Sequence, residues 1–426
     1  MRAIWRVRQT WASVWYRAWE RSEHRRTARC AESARNLHIC SALVYRENGA
    51  HTDVLRLERL ALAPLDKHCV RLKILAAPVN PADINMLEGT YPVRPPFPAV
   101  GGNEGVGEVM EVGSDVTSLS PGDWAIPVGA GFGTWRTEAV CDANDIIKVP
   151  KDISLLGAAT IGVNPCTAYR MLHDFQPLRP GDTVIQNGAN SAVGQAVIQI
   201  AAALGVKTIC VIRDRPNQQE VMEELLSMGA DYVVTEETLK GSEMDKIFQE
   251  VPRPKLGLNC VGGPYSGYLL SQLDHEGTLV TYGGMSKKPL PVPAKVLIFK
   301  NITLRGFWMT MWKRDHRKGK QEDQHETPKL LGDILVTTMF LHIRPSQAAG
   351  HGRLPLRPPA VRPPVPPPMR PGAIWGLCAC PGYDRVRPSA EACPPHVDFL
   401  WTQRPNVDDH KKCTGARQAL IIHLFT

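Results

Sequence analysis

The first half of the chain alternates short apolar runs with glycine and proline turns. Residues 42–45, 70–75 and 107–112 are continuously apolar or alternate apolar with polar positions, and each run has the length of a strand. Turn residues such as Asn80-Pro81 separate the runs. The pattern predicts a β-rich domain with irregular loops over residues 39–165.

From about residue 166 onward, strand-like and helix-like segments alternate. The predicted strands share buried apolar sequences and cover residues 182–186, 207–212, 256–261 and 278–282. The predicted helices cover residues 193–204 and 217–228, and Gly229 ends the second of them. Strand–helix repeats of this length predict a doubly wound parallel sheet of the α/β class over residues 166–316.

The composition changes again after His316. Residues 317–328 are charged and polar, and residues 353–371 consist largely of arginine and proline. Such a composition buries too little apolar surface to offset the entropy lost on ordering the chain. We therefore expect residues 317–426 to form a largely disordered tail. The Pro-x-x-Pro spacing within residues 362–370 leaves a second interpretation open, a ligand for an SH3-type domain.

The first 38 residues have an arginine-rich, amphipathic pattern. Residues 1–35 contain nine Arg, no Lys and three acidic residues. On a helix, the apolar residues of this stretch occupy one face and several arginines the opposite face. The pattern is typical of a mitochondrial targeting segment, which we predict over residues 1–38. A surface helix or an interfacial membrane helix is the alternative.

Overall composition limits the possible functions. The formal net charge is +8, but most of the excess lies in the arginine-rich start, and no basic stripe interleaved with aromatic residues follows it. We therefore predict no binding of nucleic acid. No uninterrupted apolar run approaches the roughly 20 residues that span a bilayer, so we expect no membrane span. The 11 cysteines are scattered without a Cys-x-x-Cys pair, which argues against a zinc site of that type.

A turn at residues 186–194 follows the first predicted strand of the second half and opens a helix. Backbone N–H groups and the helix dipole at such a turn favour a pyrophosphate. Gly188 can take a positive φ, and Gly194 allows the helix to pack close to the sheet. The stretch is not a clean Gly-x-Gly-x-x-Gly, so a plain strand-to-helix turn is the alternative. Its position after a parallel strand favours a dinucleotide site.

The residues after the next strand indicate which dinucleotide is bound. NAD-dependent enzymes usually place a carboxylate there for the ribose 2′-hydroxyl. This chain has Arg213, Asp214 and Arg215, and two guanidiniums would bind a 2′-phosphate. We predict NADPH rather than NADH as the cofactor, with a solvated turn containing an Asp–Arg pair as the alternative.

A glycine cluster at residues 101–105 resembles the Gly-His-Glu-Gly turn of the medium-chain dehydrogenase/reductase superfamily. The zinc alcohol dehydrogenases have a His ligand where this chain has Asn103, and an amide is a poor zinc ligand. We therefore predict no catalytic metal and assign polarisation of the substrate to another group. Tyr91, upstream of the cluster, is the candidate; the alternative is a loop aromatic that covers the glycine cluster.

Several longer segments carry a more specific resemblance. They are Leu75–Met86, Ala99–Gly105, Gly133–Val140, Gly162–Met171, Val211–Pro216, Leu258–Gly263 and Arg305–Trp308. From about residue 40 to His316 the chain resembles the mitochondrial trans-2-enoyl-CoA reductases, a zinc-free branch of the medium-chain dehydrogenase/reductase family. The resemblance covers roughly two thirds of the chain and ends after His316.

The resemblance implies a fold and an activity. The fold is a GroES-like catalytic domain over residues 39–165 and a Rossmann NADPH-binding domain over residues 166–316. The activity is NADPH-dependent reduction of trans-2-enoyl thioesters of CoA or acyl-carrier protein, in fatty-acid synthesis of the mitochondrial matrix, by a homodimer. Hydride would reach the β-carbon, and a nearby hydroxyl could donate a hydrogen bond or a proton to the enolate.

The resemblance also assigns site residues. Tyr91 matches the catalytic tyrosine. The positions that match cofactor contacts are Asn164, Asn190, Ser191, Ala192, Val193, Arg213, Asp214, Arg215, Tyr282, Gly283, Gly284, Met285, Phe307, Trp308 and Met309. One departure is Ala192, which stands where the family turn has glycine and should crowd the pyrophosphate slightly.

Two other functions stay open. A quinone oxidoreductase shares the zinc-free fold and the preference for NADPH. A catalytically impaired isoform that only binds dinucleotide or partners is the second, because the family's C-terminal helix and closing strand are not recognisable in residues 317–426.

Overall fold

The structure is a computed structural model that describes residues 38–318, 397–400 and 421–424. Within these residues the chain divides into two compact units between Gly162 and Val163. The predicted targeting segment and the proline-rich stretch lie outside the described residues, so both stay predictions. Each unit is described below by itself.

The first unit is β-rich. Its strands, in chain order, are β1 (Ile39–Tyr45), β2 (Arg56–Ala61), β3 (Cys69–Pro78), β4 (Ala99–Val100), β5 (Val106–Val112), β6 (Trp124–Pro127), β7 (Glu138–Asp142) and β8 (Ile146–Val149). Its helices are α1 (His51–Val54), α2 (Pro81–Leu87) and α3 (Leu155–Thr160), and a 3-10 turn covers Ala143–Asp145. One sheet has the order β2-β1-β4, and in the other β3 pairs antiparallel with both β5 and β7.

Alternation along β3 explains the core of this unit. Val70, Leu72 and Ile74 are every second residue of the strand, and all three are at most 1% exposed. They belong to one apolar cluster with Trp135 and Val109. Because successive strand residues point to opposite faces, the period of two places all three side chains on the core face.

The second unit contains a six-stranded parallel sheet. Its strands are β9 (Thr183–Asn187), β10 (Lys207–Ile212), β11 (Tyr232–Thr235), β12 (Leu256–Asn259), β13 (Thr278–Thr281) and β14 (Thr303–Gly306), in the order β11-β10-β9-β12-β13-β14. Its helices are α4 (Asn164–Asp174), α5 (Ala192–Ala203), α6 (Gln218–Ser227), α7 (Glu243–Glu250), α8 (Pro264–Gln272), α9 (Ala294–Lys300) and α10 (Met309–Lys318), with a 3-10 turn at Thr238–Lys240. The predicted α/β class with a doubly wound parallel sheet is confirmed.

Apolar side chains cover both faces of the parallel sheet. Val184 of β9 belongs to a cluster with residues of α4 and α5, whereas the next residue, Ile185, belongs to a cluster with Leu269 and Leu270 of α8. Both residues are 0% exposed. A strand in the middle of a parallel sheet is buried on both faces, and the consecutive apolar residues Val184 and Ile185 of β9 fill one face each.

Two short strands beyond residue 318 belong to the first unit. They are β15 (Val397–Leu400) and β16 (Ile421–Leu424), which pair antiparallel, and Ile421 also pairs with Pro78 of β3. The other residues of the segment 319–426 lie outside the described residues, so the predicted disordered tail stays a prediction. No helix in the part of the chain that the structure describes is long and apolar enough to cross a membrane.

Candidate active site

Tyr91 lies in the first unit, half-buried, just after helix α2. The chain turns after this helix at Gly89, whose φ of 73° is in the left-handed region. The carbonyl oxygen of Asn85 then accepts hydrogen bonds from the backbone N–H groups of Thr90 at 2.9 Å and Tyr91 at 3.1 Å. The backbone of Tyr91 is therefore anchored to the last turn of α2.

The first turn of α2 contains a buried carboxylate. Pro81 begins the helix with a fixed φ, and the backbone N–H of Asn80 donates to Oδ2 of Asp83 at 2.6 Å. Asp83 is 2% exposed. Burial raises the pKa of Asp83 to about 6, and hydrogen bonds from Asn80 and Asn103 act in the opposite direction.

Asn103 binds protein groups through both atoms of its amide. Its Nδ2 donates to Oδ1 of Asp83 at 2.6 Å, and its Oδ1 accepts from the backbone N–H of Gly131 at 2.6 Å. The described residues contain no group of three or more His, Cys, Asp or Glu that could hold a metal. Asn103 thus connects the glycine cluster to α2 and to the loop around Gly131.

In the second unit, the predicted cofactor residues follow the carboxyl ends of the parallel strands. Residues 190–193 follow β9, residues 213–215 follow β10, residues 282–285 follow β13, and residues 307–309 follow β14. Parallel strands end at the same edge of a sheet, so the structure brings these four segments to one edge. Asn164 begins α4, which packs on α5. Tyr91, in contrast, lies in the first unit.

The turn between β9 and α5 has the features of an anion site. Gly188 has a φ of 62°, and the carbonyl of Gly188 accepts from the backbone N–H of Ser191 at 2.9 Å. The Ser191 hydroxyl caps α5 by accepting from the backbone N–H of Gly194 at 3.1 Å. Ala192 and Val193 form the first turn of α5, where backbone N–H groups have no acceptor within the helix. The turn fits a pyrophosphate.

Gly194 leads to the first mutational prediction. A Cβ at this position would lie 2.4 Å from the carbonyl oxygen of Ala189, and the contact is with backbone that cannot rotate away. We expect Gly194→Ala to destabilise the second unit by about 1–3 kcal/mol and to abolish the rise in Tm that a bound dinucleotide produces. Thermal melts with and without dinucleotide measure both effects.

Gly241 provides the control for this substitution. A Cβ at Gly241 would meet no atom closer than 3.9 Å, and its φ of −100° suits any residue. Gly241→Ala should therefore keep both the Tm and its shift with dinucleotide. If Gly194→Ala and Gly241→Ala had the same Tm and the same Tm shift with dinucleotide, the close approach of α5 to the turn would not be needed for stability or for dinucleotide binding.

The turn after β10 carries two guanidiniums. Arg213 and Asp214 are exposed and Arg215 is half-buried. Among the residues that the structure describes, neither arginine forms an ion pair. Burial raises the pKa of Glu236, and the charge of Arg213 acts against that rise. The turn fits a phosphate monoester better than a ribose hydroxyl.

Two buried asparagines at the same edge were not predicted from the sequence. Asn187 and Asn259, at the ends of β9 and β12, are 3% and 0% exposed, and Nδ2 of Asn187 donates to Oδ1 of Asn259 at 2.8 Å. Oδ1 of Asn187 accepts from the backbone N–H of Cys260 at 2.7 Å, and Oδ1 of Asn259 accepts from that of Gly262 at 3.0 Å. These bonds fix the loop after β12. A polar residue at the end of an apolar strand was the available signal.

The segments after β13 and β14 are held by backbone hydrogen bonds. The backbone N–H of Met285 donates to the carbonyl of Cys260 at 3.1 Å, and that of Phe307 donates to the carbonyl of Thr281 at 3.0 Å. The Phe307 ring packs edge-on against Phe175 with centroids 5.8 Å apart, and Met309 is 7% exposed. An apolar, partly aromatic surface of this kind suits the nicotinamide half of a dinucleotide. The individual roles of the cofactor residues stay predictions.

Comparison with protein families gives two matches. The alcohol dehydrogenase GroES-like domain matches residues 66–151, and the zinc-binding dehydrogenase model matches residues 192–321. Two curated relatives are mitochondrial enoyl-[acyl-carrier-protein] reductases. That of Xenopus tropicalis is 54% identical over 68% of this chain and 83% of its own length. That of Homo sapiens is 58% identical over 65% of this chain and 74% of its own length.

Solved structures agree with these matches. A complex of the protein Etr1p with NADP and crotonyl-CoA has a TM-score of 0.65 and 38% identity, and covers 70% of this chain and 88% of its own. The mitochondrial 2-enoyl thioester reductase Etr1p/Etr2p heterodimer from Candida tropicalis has a TM-score of 0.67 and 35% identity, with coverages of 74% and 92%. A putative NADPH:quinone reductase from Bacillus thuringiensis has a TM-score of 0.63 and 25% identity, with coverages of 72% and 89%.

Proposed function

The chain belongs to the mitochondrial enoyl-thioester reductases, a zinc-free branch of the medium-chain dehydrogenase/reductase family, and we propose on this premise that it reduces trans-2-enoyl thioesters with NADPH. The observation that carries the proposal lies in the first unit. Asn103 occupies the position of a metal ligand, yet both atoms of its amide bind protein groups, so the polarising group must be a different one. Tyr91, anchored at the end of α2, is that group.

The reaction needs a hydrogen-bond donor at the thioester oxygen. NADPH, when bound, supplies a hydride to the β-carbon of the conjugated thioester. The negative charge that then develops on the oxygen is stabilised by a hydrogen bond from the Tyr91 hydroxyl, which can also supply the proton that the α-carbon takes up. The saturated acyl thioester is the product.

The choice of cofactor and compartment has separate support. NADP(H) is the cofactor, since Etr1p is solved with NADP bound, and we propose NADPH over NADH because Arg213 and Arg215 form no ion pair among the described residues. The relatives are mitochondrial proteins. We place this chain in the matrix, because its arginine-rich start has the composition of a targeting segment.

The proposed function is tested by offering two electron acceptors to the full chain. NADPH oxidation with crotonyl-CoA should be much faster than with a soluble quinone. Faster turnover with the quinone would assign the chain to the quinone reductases instead. NADPH binding in a thermal melt without turnover on either acceptor would identify a catalytically impaired isoform.

We also propose that the chain forms a homodimer through the β14 edge of the parallel sheet. β14 is the last strand in the sheet order of the described residues, and all four of its residues are exposed. Beside it in sequence, α9 exposes Leu297, Ile298 and Phe299 at 43%, 70% and 76%. An open strand edge next to exposed apolar residues is the type of surface that a second copy covers.

Substitution on α9 tests this dimer. Because a buried unpaired carboxylate is costly, we expect Phe299→Asp to convert a dimer into a monomer, as measured by light scattering coupled to gel filtration. The control is Leu226→Asp on α6, which replaces an apolar residue that is 46% exposed away from β14. A Phe299→Asp variant that keeps the mass of a dimer would exclude α9 from the interface.

A further inference from the structure

Two neighbouring residues of the glycine cluster bind the first turn of α2. Nδ2 of Asn103 donates to Oδ1 of Asp83 at 2.6 Å, and Oε2 of Glu104 accepts from Nδ2 of Asn80 at 2.8 Å. Both carboxylates are buried, with Asp83 2% and Glu104 3% exposed. The glycine cluster therefore fixes the amino-terminal end of this short helix through two separate hydrogen bonds to buried carboxylates.

The geometry at Asp83 uses both oxygens of the carboxylate. Oδ1 accepts from the Asn103 side chain, and Oδ2 accepts from the backbone N–H of Asn80 at 2.6 Å. Two donors converging on a buried carboxylate leave little freedom of orientation. The start of α2 is thereby fixed relative to the glycine cluster.

Tyr91 follows the other end of α2, which is Leu87. The carbonyl of Asn85 accepts from the backbone N–H groups of Thr90 and Tyr91, and the side chain of Asn48 donates to the carbonyls of Met86 and Leu87, each at 3.1 Å. The helix has seven residues, so its first and last turns belong to one short hydrogen-bonded element.

Asn103 also binds on its opposite side. Its Oδ1 accepts from the backbone N–H of Gly131 at 2.6 Å, in a loop where Gly131 and Gly133 both have positive φ. Nδ2 of the same amide lies 3.0 Å from Sδ of Met86. One side chain thus joins three segments: the glycine cluster, the helix that precedes Tyr91, and the glycine-rich loop.

We infer that Asp83 and Asn103 are positioning residues for Tyr91: their hydrogen-bonded pair fixes α2, and through it the place of the tyrosine hydroxyl during reduction. The inference rests on the proposed function. Asn103, at the position of the metal ligand in the zinc alcohol dehydrogenases, then orients Tyr91, which polarises the substrate in place of a metal. Neither side chain needs to touch the substrate for this role.

Isosteric exchange of the pair provides the test. Asn103→Asp keeps an oxygen that accepts from the backbone N–H of Gly131, but a second oxygen then faces the Asp83 carboxylate. Asp83→Asn replaces one carboxylate oxygen by an NH2 group, so that one hydrogen-bond donor faces another. We expect each single variant to lower kcat for crotonyl-CoA by about 10- to 100-fold, with the Kd for NADPH and the KM for the thioester within about 3-fold of wild type. Combining the two substitutions restores a donor opposite an acceptor, and kcat should recover to within about 3-fold of wild type.

Coupling to Tyr91→Phe separates positioning from a general loss of stability. In the Tyr91→Phe background, Asn103→Asp should cause almost no further loss of kcat, because the hydroxyl that it positions is already gone. Val109→Ala, a cavity variant in the core of the same unit, serves as the structural control and should lower Tm while kcat is retained. Two results would overturn the inference. One is that Asn103→Asp lowers kcat by the same factor in the Tyr91→Phe background as in the wild type. The other is that the variant combining Asp83→Asn and Asn103→Asp stays as slow as the single variants.

Failure of the proposed function gives a different pattern. If Tyr91→Phe itself reduces crotonyl-CoA at the wild-type rate, the catalytic assignment of Tyr91 is wrong. If Tyr91→Phe is slow while Asp83→Asn and Asn103→Asp both keep the wild-type kcat, the proposed function stands and only the positioning role is rejected.

Discussion

Replacing Tyr91 by phenylalanine should lower kcat for crotonyl-CoA about 100-fold while the Kd for NADPH stays unchanged. The substitution removes only the hydroxyl, and the backbone bond of residue 91 to the Asn85 carbonyl is kept. A donor that stabilises developing charge or transfers a proton contributes about 10²- to 10⁴-fold to a rate. Steady-state kinetics together with an NADPH titration measure the two quantities separately.

A matched loss of a tyrosine hydroxyl controls for nonspecific effects. Tyr232→Phe removes a hydroxyl that donates to Oε2 of Glu250 at 2.8 Å, in strand β11 at the far edge of the parallel sheet. This variant should keep the wild-type kcat. If Tyr91→Phe kept it too, Tyr91 would be a loop aromatic beside the glycine cluster and the donor would have to be found elsewhere.

Local sequence was sufficient to predict the bounds of elements that are buried on both faces. Strand β10 has the predicted bounds, Lys207–Ile212, and α5 begins and ends within one residue of its prediction. Both are nearly continuous apolar runs that are flanked by turn residues. The same reasoning placed Arg213 and Arg215 at the end of a strand, since a turn directly after a buried strand can be identified from sequence alone.

Helix α2 shows what local sequence does not contain. It has only seven residues and carries polar side chains at Asp83 and Asn85. The partner of the buried Asp83, Asn103, is 20 residues away in sequence, and the partner of Asn187 is 72 residues away. Such pairs form only when tertiary contacts exist, so a single sequence can mark a polar residue as unusual but does not indicate its partner.

The resemblance to a family identified site residues that periodicity alone did not, but it did not give their hydrogen-bond partners. It identified Asn103 as the residue at the position of a metal ligand and stopped there. The structure adds that both atoms of the Asn103 amide are hydrogen-bonded, to Asp83 and to Gly131. Because both atoms of the amide are bonded, Asn103 is fixed relative to α2 and to the loop at Gly131, which is why we assign it a positioning role.

Removing both arginines of the turn after β10 should reverse the choice of dinucleotide. We expect Arg213→Ala combined with Arg215→Ala to raise the Kd for NADPH about 100-fold and to change the Kd for NADH by less than about 3-fold. Each charge-assisted hydrogen bond to a phosphate contributes about 1.5–3 kcal/mol, and NADH offers only a hydroxyl at the same point. Because the 2′-phosphate takes no part in hydride transfer, kcat with saturating NADPH should fall far less than kcat/KM.

Arg253→Ala is the control for a general loss of positive charge. Arg253 precedes β12, at the amino-terminal edge of the sheet, and pairs with Asp245 at 3.5 Å. Its removal changes net charge without touching the edge where the strands end, so both dissociation constants should stay at their wild-type values. Unchanged dissociation constants for both NADPH and NADH in the double variant would show that the turn is solvated and does not contact the cofactor. A rise in the Kd for NADPH alone would assign the two guanidiniums to the 2′-phosphate. The effect of the substitutions on this Kd should disappear at high salt, because salt screens the phosphate contact.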